Sequence, residues 1–574
     1  MALRKKRRVL YVIADGFKTG KFGDGRAFIG RDYPLGKQRP ETSIAQHKFD
    51  PLAPDRAAIR RSGLAGKMAR ITSLKLNQEL TISMPGNTKA DKPLAENSVE
   101  EWHAETDVLV VGGGGAGASA AIEAVDSGAG VILLEAASEA GGSTALAGGL
   151  IYMGGGTPTQ QACGFEDDIE EMYKHLMLAS GPNADEAKVR LYCDRTLEHY
   201  DWLVDQGVVF KPEYYPHKHT NTPNEAALMI TGNEEAWPYN QHARPAPRGH
   251  KPQIKGDHGG IPLMENLLAS ARRKGVDIVC DARALTSICN EDGRITGIVA
   301  RIDGREVCIR ARRGVVLACG GFIMNEEMVK LYAPKLALGN YPNGNPNDTG
   351  GGIRIGIGAG GAAINMHEGF ICTPFYPPNE FLESIIIDST GQRFMNEDVY
   401  HGRMGAAILE HPERRYYLVI DSRHFEVLER PPMGGFPVAG TGETIEELEQ
   451  ELQLPEGTLA NTLSIYNRFA EQGEDPLFHK AEKYLVPLDR PPYAAFDMTP
   501  GNGAYYAVMT FGGLDTLPTG EVLSVEKQVI PGLYAAGRNA VGLPRCAEGY
   551  ASGMCIGDAT FFGRLAGETA ANNT

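Results

Sequence analysis

Long apolar runs, paired cysteines and a positive net charge are all missing from this 574-residue sequence. No stretch is apolar for long enough to cross a bilayer, and residues 9–14 are too few for the core of a signal peptide. The nine cysteines include no CxxC pair and no cluster with histidine at metal-binding spacing, so we predict no metal site. Unpaired thiols are typical of a reducing compartment, and we predict a cytoplasmic location. The net charge of −15 argues against nucleic acid as a partner.

The beginning of the sequence differs in charge from the rest. Residues 1–75 carry 18 Lys+Arg against 6 Asp+Glu, whereas the remainder carries 39 against 66. We predict that residues 1–103 form a basic leader that is disordered, or that is translated from a start codon upstream of the usual one. A weak role in binding surfaces, including peripheral contact with a membrane, is the alternative for this leader.

The most informative pattern is residues 107–135, DVLVVGGGGAGASAAIEAVDSGAGVILLE. An apolar run leads into glycines, a helix-compatible segment follows, and a second apolar run ends at Glu135. Gly112 permits a tight turn, Gly114 lets the backbone approach a pyrophosphate, and Gly117 lets helix and strand pack closely. The helix N-terminus would face phosphates with its free N–H groups, and Glu135 would accept hydrogen bonds from ribose hydroxyls. The sequence therefore predicts a βαβ unit that binds a dinucleotide.

The rest of the sequence indicates one cofactor domain that is interrupted by another. Glycine clusters at 141–142, 148–149 and 154–156 are typical of loops that press against a ligand. Residues 208–258 form a long irregular excursion, of the sort that is usually functional. The hydrophobic periodicity predicts helices at 263–274, 347–361, 444–451, 459–472 and 549–567, and strands at 276–280, 285–289, 295–301, 313–321, 385–387, 416–421 and 530–537.

These pieces together resemble the flavoprotein family that includes fumarate reductase, succinate dehydrogenase subunits and ketosteroid dehydrogenases. The matching segments are VVGGGGAG with Glu135, GGSTALAGG (141–149), RGVVLACGGF (313–322), GQRFMNED (391–398), PGLYAAG (531–537) and GYASGMCIGDATFFGRLAG (549–567). The resemblance implies FAD rather than NAD, and an α/β fold that is α+β overall. It also implies a Rossmann-like FAD-binding domain, residues 104–335 and 500–574, that is interrupted by a capping catalytic domain, residues 336–499.

The resemblance extends to the residues that would hold the cofactor. The glycine pair at 141–142 and the region 536–556 would flank the flavin. The loop after Gly142, where this family forms its covalent link, has no histidine, so we predict non-covalent FAD. The residues that we expect to bind FAD are Gly112, Gly114, Gly115, Ala116, Gly117, Glu135, Gly141, Gly142, Ser143, Ala145, Gly148, Gly149, Ala284, Ala318, Gly320, Gly537, Gly553 and Ile556.

Within that family the sequence is most similar to the 3-ketosteroid Δ4-(5α)-dehydrogenases. The shared segments are ALAGGLIYMGGGTP (145–158), PAPRGH (245–250), EDVYHGR (397–403) and GYASG (549–553). Two tyrosines and a serine carry the proton chemistry in that group, and residue by residue they fall on Tyr400, Tyr550 and Ser552.

Hydroxyl groups suit a desaturation beside a ketone, because the ketone makes its α-carbon more acidic. Tyr550 would remove the C4 proton, but a tyrosine with a pKa of about 10 needs help near neutral pH. Ser552 and Tyr400 would relay the proton, while the C5 hydride goes to FAD. Backbone N–H groups near Gly512 and Gly513 are candidates to polarise the ketone oxygen.

More than one interpretation of these residues stays open. Tyr550 and Ser552 taken alone equally suit the start of a helix. A rival function is reduction of fumarate-like acids, which uses an arginine acid where this sequence has His401, with Arg403 two residues on. A 3-ketosteroid Δ1-dehydrogenase and a flavin-carrying electron-transfer subunit are two further candidate functions.

Aromatic and apolar residues decide between these candidate functions. Candidates for a sterol pocket are Ile151, Tyr152, Met153, Phe370, Phe375 and Phe511. They suit a hydrophobic ketosteroid better than a small dicarboxylate. We therefore predict an FAD-dependent oxidoreductase acting on CH–CH groups, a 3-oxosteroid 4-dehydrogenase of steroid catabolism. Its electron acceptor is not identified by the sequence.

Overall fold

The computed structural model describes residues 92–428 and 434–573. In chain order the strands are β1 (Leu94–Ala95), β2 (Ala104–Val111), β3 (Val131–Leu134), β4 (Ile151–Tyr152), β5 (Tyr214–Tyr215), β6 (Leu228–Met229), β7 (Gly249–His250), β8 (Asp277–Val279), β9 (Ala282–Cys289), β10 (Ile295–Ile302), β11 (Arg305–Leu317), β12 (Tyr341–Pro342), β13 (Ala363–Ile364), β14 (Gly369–Cys372), β15 (Ile385–Asp388), β16 (Tyr416–Asp421), β17 (Val438–Gly442), β18 (Tyr493–Asp497), β19 (Ala507–Thr510), β20 (Gly513–Leu514), β21 (Glu521–Leu523) and β22 (Val529–Ala535).

The α-helices, again in chain order, connect and cover these strands. They are α1 (Gly115–Asp126), α2 (Gly142–Leu146), α3 (Pro158–Ala162), α4 (Ile169–Ser180), α5 (Glu186–Asp194), α6 (Thr196–Asp205), α7 (Tyr239–His242), α8 (Gly260–Arg273), α9 (Glu326–Tyr332), α10 (Gly351–Gly358), α11 (His401–Glu410), α12 (Ile445–Leu452), α13 (Thr458–Ala470) and α14 (Met554–Asn572). Short 3₁₀ helices lie at Glu96–Ser98, Pro334–Leu338, Asn379–Glu383, Ser422–Val427, Glu482–Tyr484 and Gly537–Asn539.

A nine-stranded sheet forms the centre of the fold, in the order β1-β9-β10-β11-β2-β3-β8, with β22 beside β11 and β21 beside β22. Strands β2, β3, β8, β11 and β22 run parallel to their neighbours in this group. Val108, Leu109 and Val110 of β2 are fully buried, as expected for a parallel strand that is covered on both faces. The predicted βαβ unit is confirmed as β2–α1–β3.

Helices α1 and α14 pack directly on one another. A Cβ atom at Gly563 of α14 would lie 2.4 Å from the carbonyl oxygen of Ala116 in α1, so only glycine permits this approach. Gly567 of α14 contacts Ala120 of α1 in the same register, so the first turns of α14, after Gly553, extend beyond the N-terminal end of α1 at Gly114. Both helix ends line one cavity at the carboxyl ends of the central strands. This is the edge at which open α/β sheets bind ligands.

Several sequence-based predictions need correction. The last helix begins at Met554 rather than at residue 549, because its N-cap Gly553 has a φ of 103°, which few other residues adopt. The strand predicted at 313–321 is the end of a longer strand, β11, whose first half pairs with β10. The excursion 208–258 is only partly irregular, since β5, β6 and β7 join β4 in a four-stranded sheet.

The last part of the predicted leader, residues 92–103, belongs to the fold. Leu94 and Ala95 pair in parallel with Ile288 and Cys289 at the edge of the large sheet. The backbone N–H of His103 donates to the carbonyl oxygen of Cys308. This pairing satisfies backbone groups at the sheet edge, so the prediction of disorder is wrong for residues 92–103. The rest of the predicted leader, residues 1–91, lies outside the described residues.

A second four-stranded sheet, β15-β16-β18-β17, lies within the predicted capping segment. Helices α12 and α13 contribute Leu448, Leu459 and Leu463 to a shared core with β15 and β16. The small sheet β12-β19-β14 takes strands from both sides of the predicted boundary at residues 499–500. The division into two domains therefore stays a prediction.

Among the helices of the described chain, none combines the length and apolar character that a bilayer span requires.

Candidate active site

A cavity of about 500 Å³ lies between the N-terminal ends of α1 and α14 and the carboxyl ends of β2, β3 and β11. Most of the predicted FAD residues line it. These are Gly112, Gly114, Gly115, Ala116, Glu135, Gly142, Ser143, Gly148, Gly149, Ala284, Ala318, Gly320, Gly537, Gly553 and Ile556. The predicted residues that line the cavity thus come from seven separate segments, although the role of each residue stays a prediction.

Three predicted FAD residues lie outside the lining of the cavity. Gly117 is required by packing, because a Cβ atom there would lie 1.8 Å from the carbonyl oxygen of Gly112. Gly141 donates its backbone N–H to the Gly113 carbonyl at 2.9 Å. Ala145 packs against Gly141, where an added Cβ would lie 3.0 Å from the Ala145 Cβ. We expect these residues to shape the loops rather than to contact a ligand.

The glycine-rich end of α1 fits a phosphate group. A Cβ atom at Gly114 would meet no protein atom closer than Gly142 Cα at 3.8 Å, so the space beside Gly114 is open cavity. Helix α1 has no side-chain N-cap hydrogen bond and no acidic residue in its first turn. The N–H of Gly115 donates to Thr144 Oγ1 at 3.2 Å. The positive dipole end of the helix faces the open space, which suits an anion.

Glu135 stands at the end of β3, as the sequence predicted. Its carboxylate accepts hydrogen bonds from the N–H groups of Gly113 and Ala137, both at 2.8 Å. These bonds fix the carboxylate at the cavity wall, where its remaining lone pairs can accept hydrogen bonds from hydroxyl groups.

A polar cluster that the sequence did not reveal closes the other side of the cavity. Ser143 Oγ donates to Asp348 Oδ2 at 2.7 Å, and Arg538 Nη2 donates to the same oxygen at 2.5 Å. The Nη1 atom of Arg538 is buried and has no hydrogen-bond partner among the described residues. The sequence offered one signal for this cluster, because Arg538 directly follows the matched PGLYAAG segment. Its partner Asp348 lies 190 residues away, so the pairing could not be inferred from the sequence.

The three predicted catalytic residues lie together on the cavity wall. Tyr400 Oη and Ser552 Oγ share a hydrogen bond of 2.6 Å. The ring centroid of Tyr550 is 6.5 Å from that of Tyr400 and 4.8 Å from that of Phe370. A hydrogen-bonded pair of hydroxyl groups thus reaches the cavity from two segments that lie 152 residues apart, and the Tyr550 ring lies next to this pair.

Burial determines the protonation of this group. It raises the pKa of both Tyr400 and Tyr550 well above their ordinary value of about 10. Cys555, a residue that the sequence did not reveal, lies beside Tyr550, and burial raises the pKa of its thiol to about 12. The hydroxyl of Ser552 bonds directly to Tyr400. Because their pKa values are raised, both tyrosines are neutral phenols near neutral pH.

His401 and Arg403 follow Tyr400 at the start of α11, and only His401 lines the cavity. Burial, then the nearby charges of Lys218 and His219, lowers the pKa of His401 to about 3, so its ring is neutral. Arg403 instead lies 3.3 Å from Glu548 and donates to the carbonyl oxygen of Trp237. Neither side chain offers a cation to a bound carboxylate.

The structure corrects two predictions about substrate binding, the residues of the sterol pocket and the N–H groups that would polarise the ketone. Of the predicted sterol-pocket residues only Phe370 lines the cavity; Ile151, Tyr152, Met153, Phe375 and Phe511 are buried in hydrophobic cores. Gly512 and Gly513 also lie outside the lining, because Gly513 is paired with Ile364 in β20. The apolar wall consists instead of Cys372, Pro374, Tyr505, Ala507 and Met509. No group of three potential metal ligands occurs in the part of the chain that the structure describes.

The known proteins that are similar to this chain include flavoproteins and ketosteroid dehydrogenases. The pattern of the family described as FAD binding domain matches residues 107–553. The structure of 3-ketosteroid-Δ4-(5α)-dehydrogenase from Rhodococcus jostii RHA1, in complex with 4-androstene-3,17-dione, is 41% identical with a TM-score of 0.80, and the match covers 84% of this chain and 100% of that one.

Curated proteins of two activities are also similar to this chain. A cytochrome fumarate reductase from Shewanella frigidimarina (strain NCIMB 400) is 29% identical over 508 residues, covering 86% of this chain and 78% of the relative. A 3-oxo-5-alpha-steroid 4-dehydrogenase from Comamonas testosteroni is 27% identical over 513 residues, covering 78% and 95%.

Proposed function

We propose, from the premise that this chain belongs to the FAD binding domain family, that it is an FAD-dependent 3-oxosteroid 4-dehydrogenase. The cofactor is FAD, held without a covalent link. The observation that carries the proposal is the hydroxyl set of Tyr400, Ser552 and Tyr550, which lies on the wall of the cavity that also holds the glycine cradle. The likeness to a ketosteroid Δ4-(5α)-dehydrogenase over that protein's whole length supports it.

The cradle residues would hold the cofactor at the two helix ends. Gly114 leaves space for the pyrophosphate, and Glu135 would accept hydrogen bonds from the ribose. Bound FAD supplies the acceptor for the hydride that leaves C5 of the steroid. Flavin chemistry on an apolar substrate requires that water be excluded, and the buried Phe370, Tyr550 and Met509 serve this purpose.

Proton removal from C4 would then depend on the hydroxyl groups. Tyr550 is the proposed base, and the pair formed by Ser552 and Tyr400 would take part in carrying the proton away. Because burial favours the neutral phenol, Tyr550 would take the C4 proton in its deprotonated form, which is scarce near neutral pH, and would then pass that proton to the hydroxyl pair. The neutral His401 keeps this end of the cavity uncharged, which suits a ketone.

Reduction of fumarate-like acids is the main competing function. That reaction needs cations that grip two carboxylates, but His401 is neutral and Arg403 is paired with Glu548. Arg538, which does line the cavity, pairs through Nη2 with Asp348 at 2.5 Å and leaves only its Nη1 without a hydrogen-bond partner among the described residues. These contacts favour a neutral ketosteroid as the substrate.

We also propose a cytoplasmic location, with an acceptor of electrons that is not yet identified. All nine cysteines lie in the described ranges and are free thiols. Free thiols in this number support a reducing compartment.

The substrate class can be tested with purified holoenzyme. With an artificial electron acceptor, we expect oxidation of a saturated 3-oxosteroid such as 5α-androstane-3-one to the 4-ene-3-one. Fumarate, offered with a reduced dye as electron donor, should be reduced more slowly than the steroid is oxidised. Faster reduction of fumarate would overturn the proposal, and a 1,4-diene formed from a 4-ene-3-one would move the double bond to ring positions 1 and 2.

A further inference from the structure

The residues 231–234, with the sequence Thr-Gly-Asn-Glu, form a buried turn between the two segments that carry the hydroxyl groups. The side chain of Asn233 is fully buried, and Thr231 and Glu234 are almost completely so. The turn is closed by its own hydrogen bonds: Glu234 Oε2 accepts the N–H of Gly232 at 2.7 Å, and Asn233 O accepts the N–H of Ala236 at 2.9 Å. A closed, buried turn of this kind can serve as a rigid spacer.

One side of the turn holds Tyr400. The backbone N–H of Tyr400 donates to Asn233 Oδ1 at 2.9 Å. The carbonyl oxygen of Tyr400 accepts the N–H of Arg403 at 2.9 Å, at the beginning of α11. Both polar backbone groups of Tyr400 are therefore fixed, one by Asn233 and the other by the helix.

The other side of the turn holds the segment of Ser552. The backbone N–H of Ser552 donates to the Thr231 carbonyl at 3.0 Å, and Asn233 Nδ2 donates to the Glu548 carbonyl at 3.5 Å. Gly232 lies against Ala551 so closely that a Cβ on it would come within 2.5 Å of the Ala551 Cβ. The same four residues thus contact both catalytic segments.

We propose that Asn233 is a positioning residue that sets the distance between the Tyr400 and Ser552 hydroxyls. This inference rests on the proposed function, in which these hydroxyls carry a proton. The side-chain amide of Asn233 contacts the backbone on both sides of the 2.6 Å hydrogen bond, and it contacts neither hydroxyl. Because a displacement of about 1 Å can cost about a hundredfold in rate, loss of this amide should slow the reaction without removing any reacting group.

A double-mutant cycle distinguishes positioning from a general structural role. The variants are Asn233→Ala, Tyr400→Phe and the double variant, each as holoenzyme, and the measurement is the rate of flavin reduction by saturating 5α-androstane-3-one. We expect each single change to slow reduction by about tenfold or more. The double variant should be no slower than the slower single variant, because the group that Asn233 positions is already absent.

Asn467→Ala is the matched control. The side chain of Asn467 also bridges a backbone N–H and a carbonyl, both of Leu488, at 2.8 and 3.0 Å, and it lies outside the cavity lining. Asn467→Ala should retain the parental rate of flavin reduction even where its melting temperature falls. If Asn233→Ala cannot be prepared with FAD, Asn233→Leu, of similar shape and without hydrogen-bonding atoms in its side chain, carries the same cycle.

The outcomes separate this inference from the proposed function. If Tyr400→Phe slows reduction but the effects of the two changes multiply, or if Asn233→Ala reduces at the parental rate, the positioning role of Asn233 is wrong and the proposed function stands. If Tyr400→Phe itself reduces at the parental rate, the relay in the proposed function is wrong and this inference falls with it.

Discussion

Gly114→Val protein is expected to fold and to be purified colourless, without FAD. The backbone of Gly114 has φ −82°, which a valine adopts without strain, and the nearest protein atoms to a Cβ are Gly142 Cα at 3.8 Å and Thr144 Oγ1 at 4.0 Å. The added side chain therefore enters the cavity rather than the core. If overpacking there costs about 3 kcal/mol, FAD affinity falls by about two orders of magnitude.

Two other variants provide the comparison. Gly117→Ala places a Cβ 1.8 Å from the Gly112 carbonyl oxygen, so it should destabilise the fold itself. Glu135→Ala should weaken FAD binding less than Gly114→Val, because it removes hydrogen bonds and blocks no space. Flavin absorbance per protein and thermal unfolding of the FAD-free forms measure these effects. A yellow, fully flavinated Gly114→Val protein would contradict the cofactor site.

Tyr550→Phe is expected to keep FAD and the fold but to lose most of its steroid oxidation. The phenyl ring retains the contacts with Phe370 and Phe511, whose centroids lie 4.8 and 5.3 Å away. Only the hydroxyl is removed, and a positioned acid–base group is typically worth about two orders of magnitude or more. Ser552→Ala should cost less, since water can substitute in a relay.

The pH dependence of flavin reduction gives a second measure of Tyr550. Burial raises its pKa well above 10, so the basic form is scarce at neutral pH and becomes more abundant as pH rises. The parental rate should therefore increase with pH through the neutral and alkaline range, and Tyr550→Phe should remove this increase. The pKa of His401, lowered to about 3, adds no step between pH 5 and 8. Parental turnover by Tyr550→Phe would exclude Tyr550 as the base.

The βαβ unit could be predicted from the sequence because its signals are local. An apolar run, three glycines and an acid follow one another over residues 107–135, and they form β2, α1 and β3 in that order. The start of the last helix was wrong by five residues, because the φ of Gly553 cannot be inferred from a run of small residues that all suit a helix.

Contacts between distant segments could not be predicted in this way. Asp348 meets Arg538, and Asn233 meets Tyr400, across 190 and 167 residues. The resemblance placed Tyr400, Tyr550 and Ser552 near the flavin, but it did not reveal that the buried thiol of Cys555 lies beside Tyr550. Such pairings follow from how the segments pack, which periodicity and spacing do not encode.

The most direct test of the central claim is a single turnover of oxidised holoenzyme with 5α-androstane-3-one carrying deuterium at C5, in the absence of oxygen. We predict that the steroid reduces the flavin, that deuterium at C5 slows this reduction, and that the product is a 4-ene-3-one without the label. A flavin that stays oxidised, or a product that retains deuterium at C5, would contradict the assignment of this chain as a 3-oxosteroid 4-dehydrogenase.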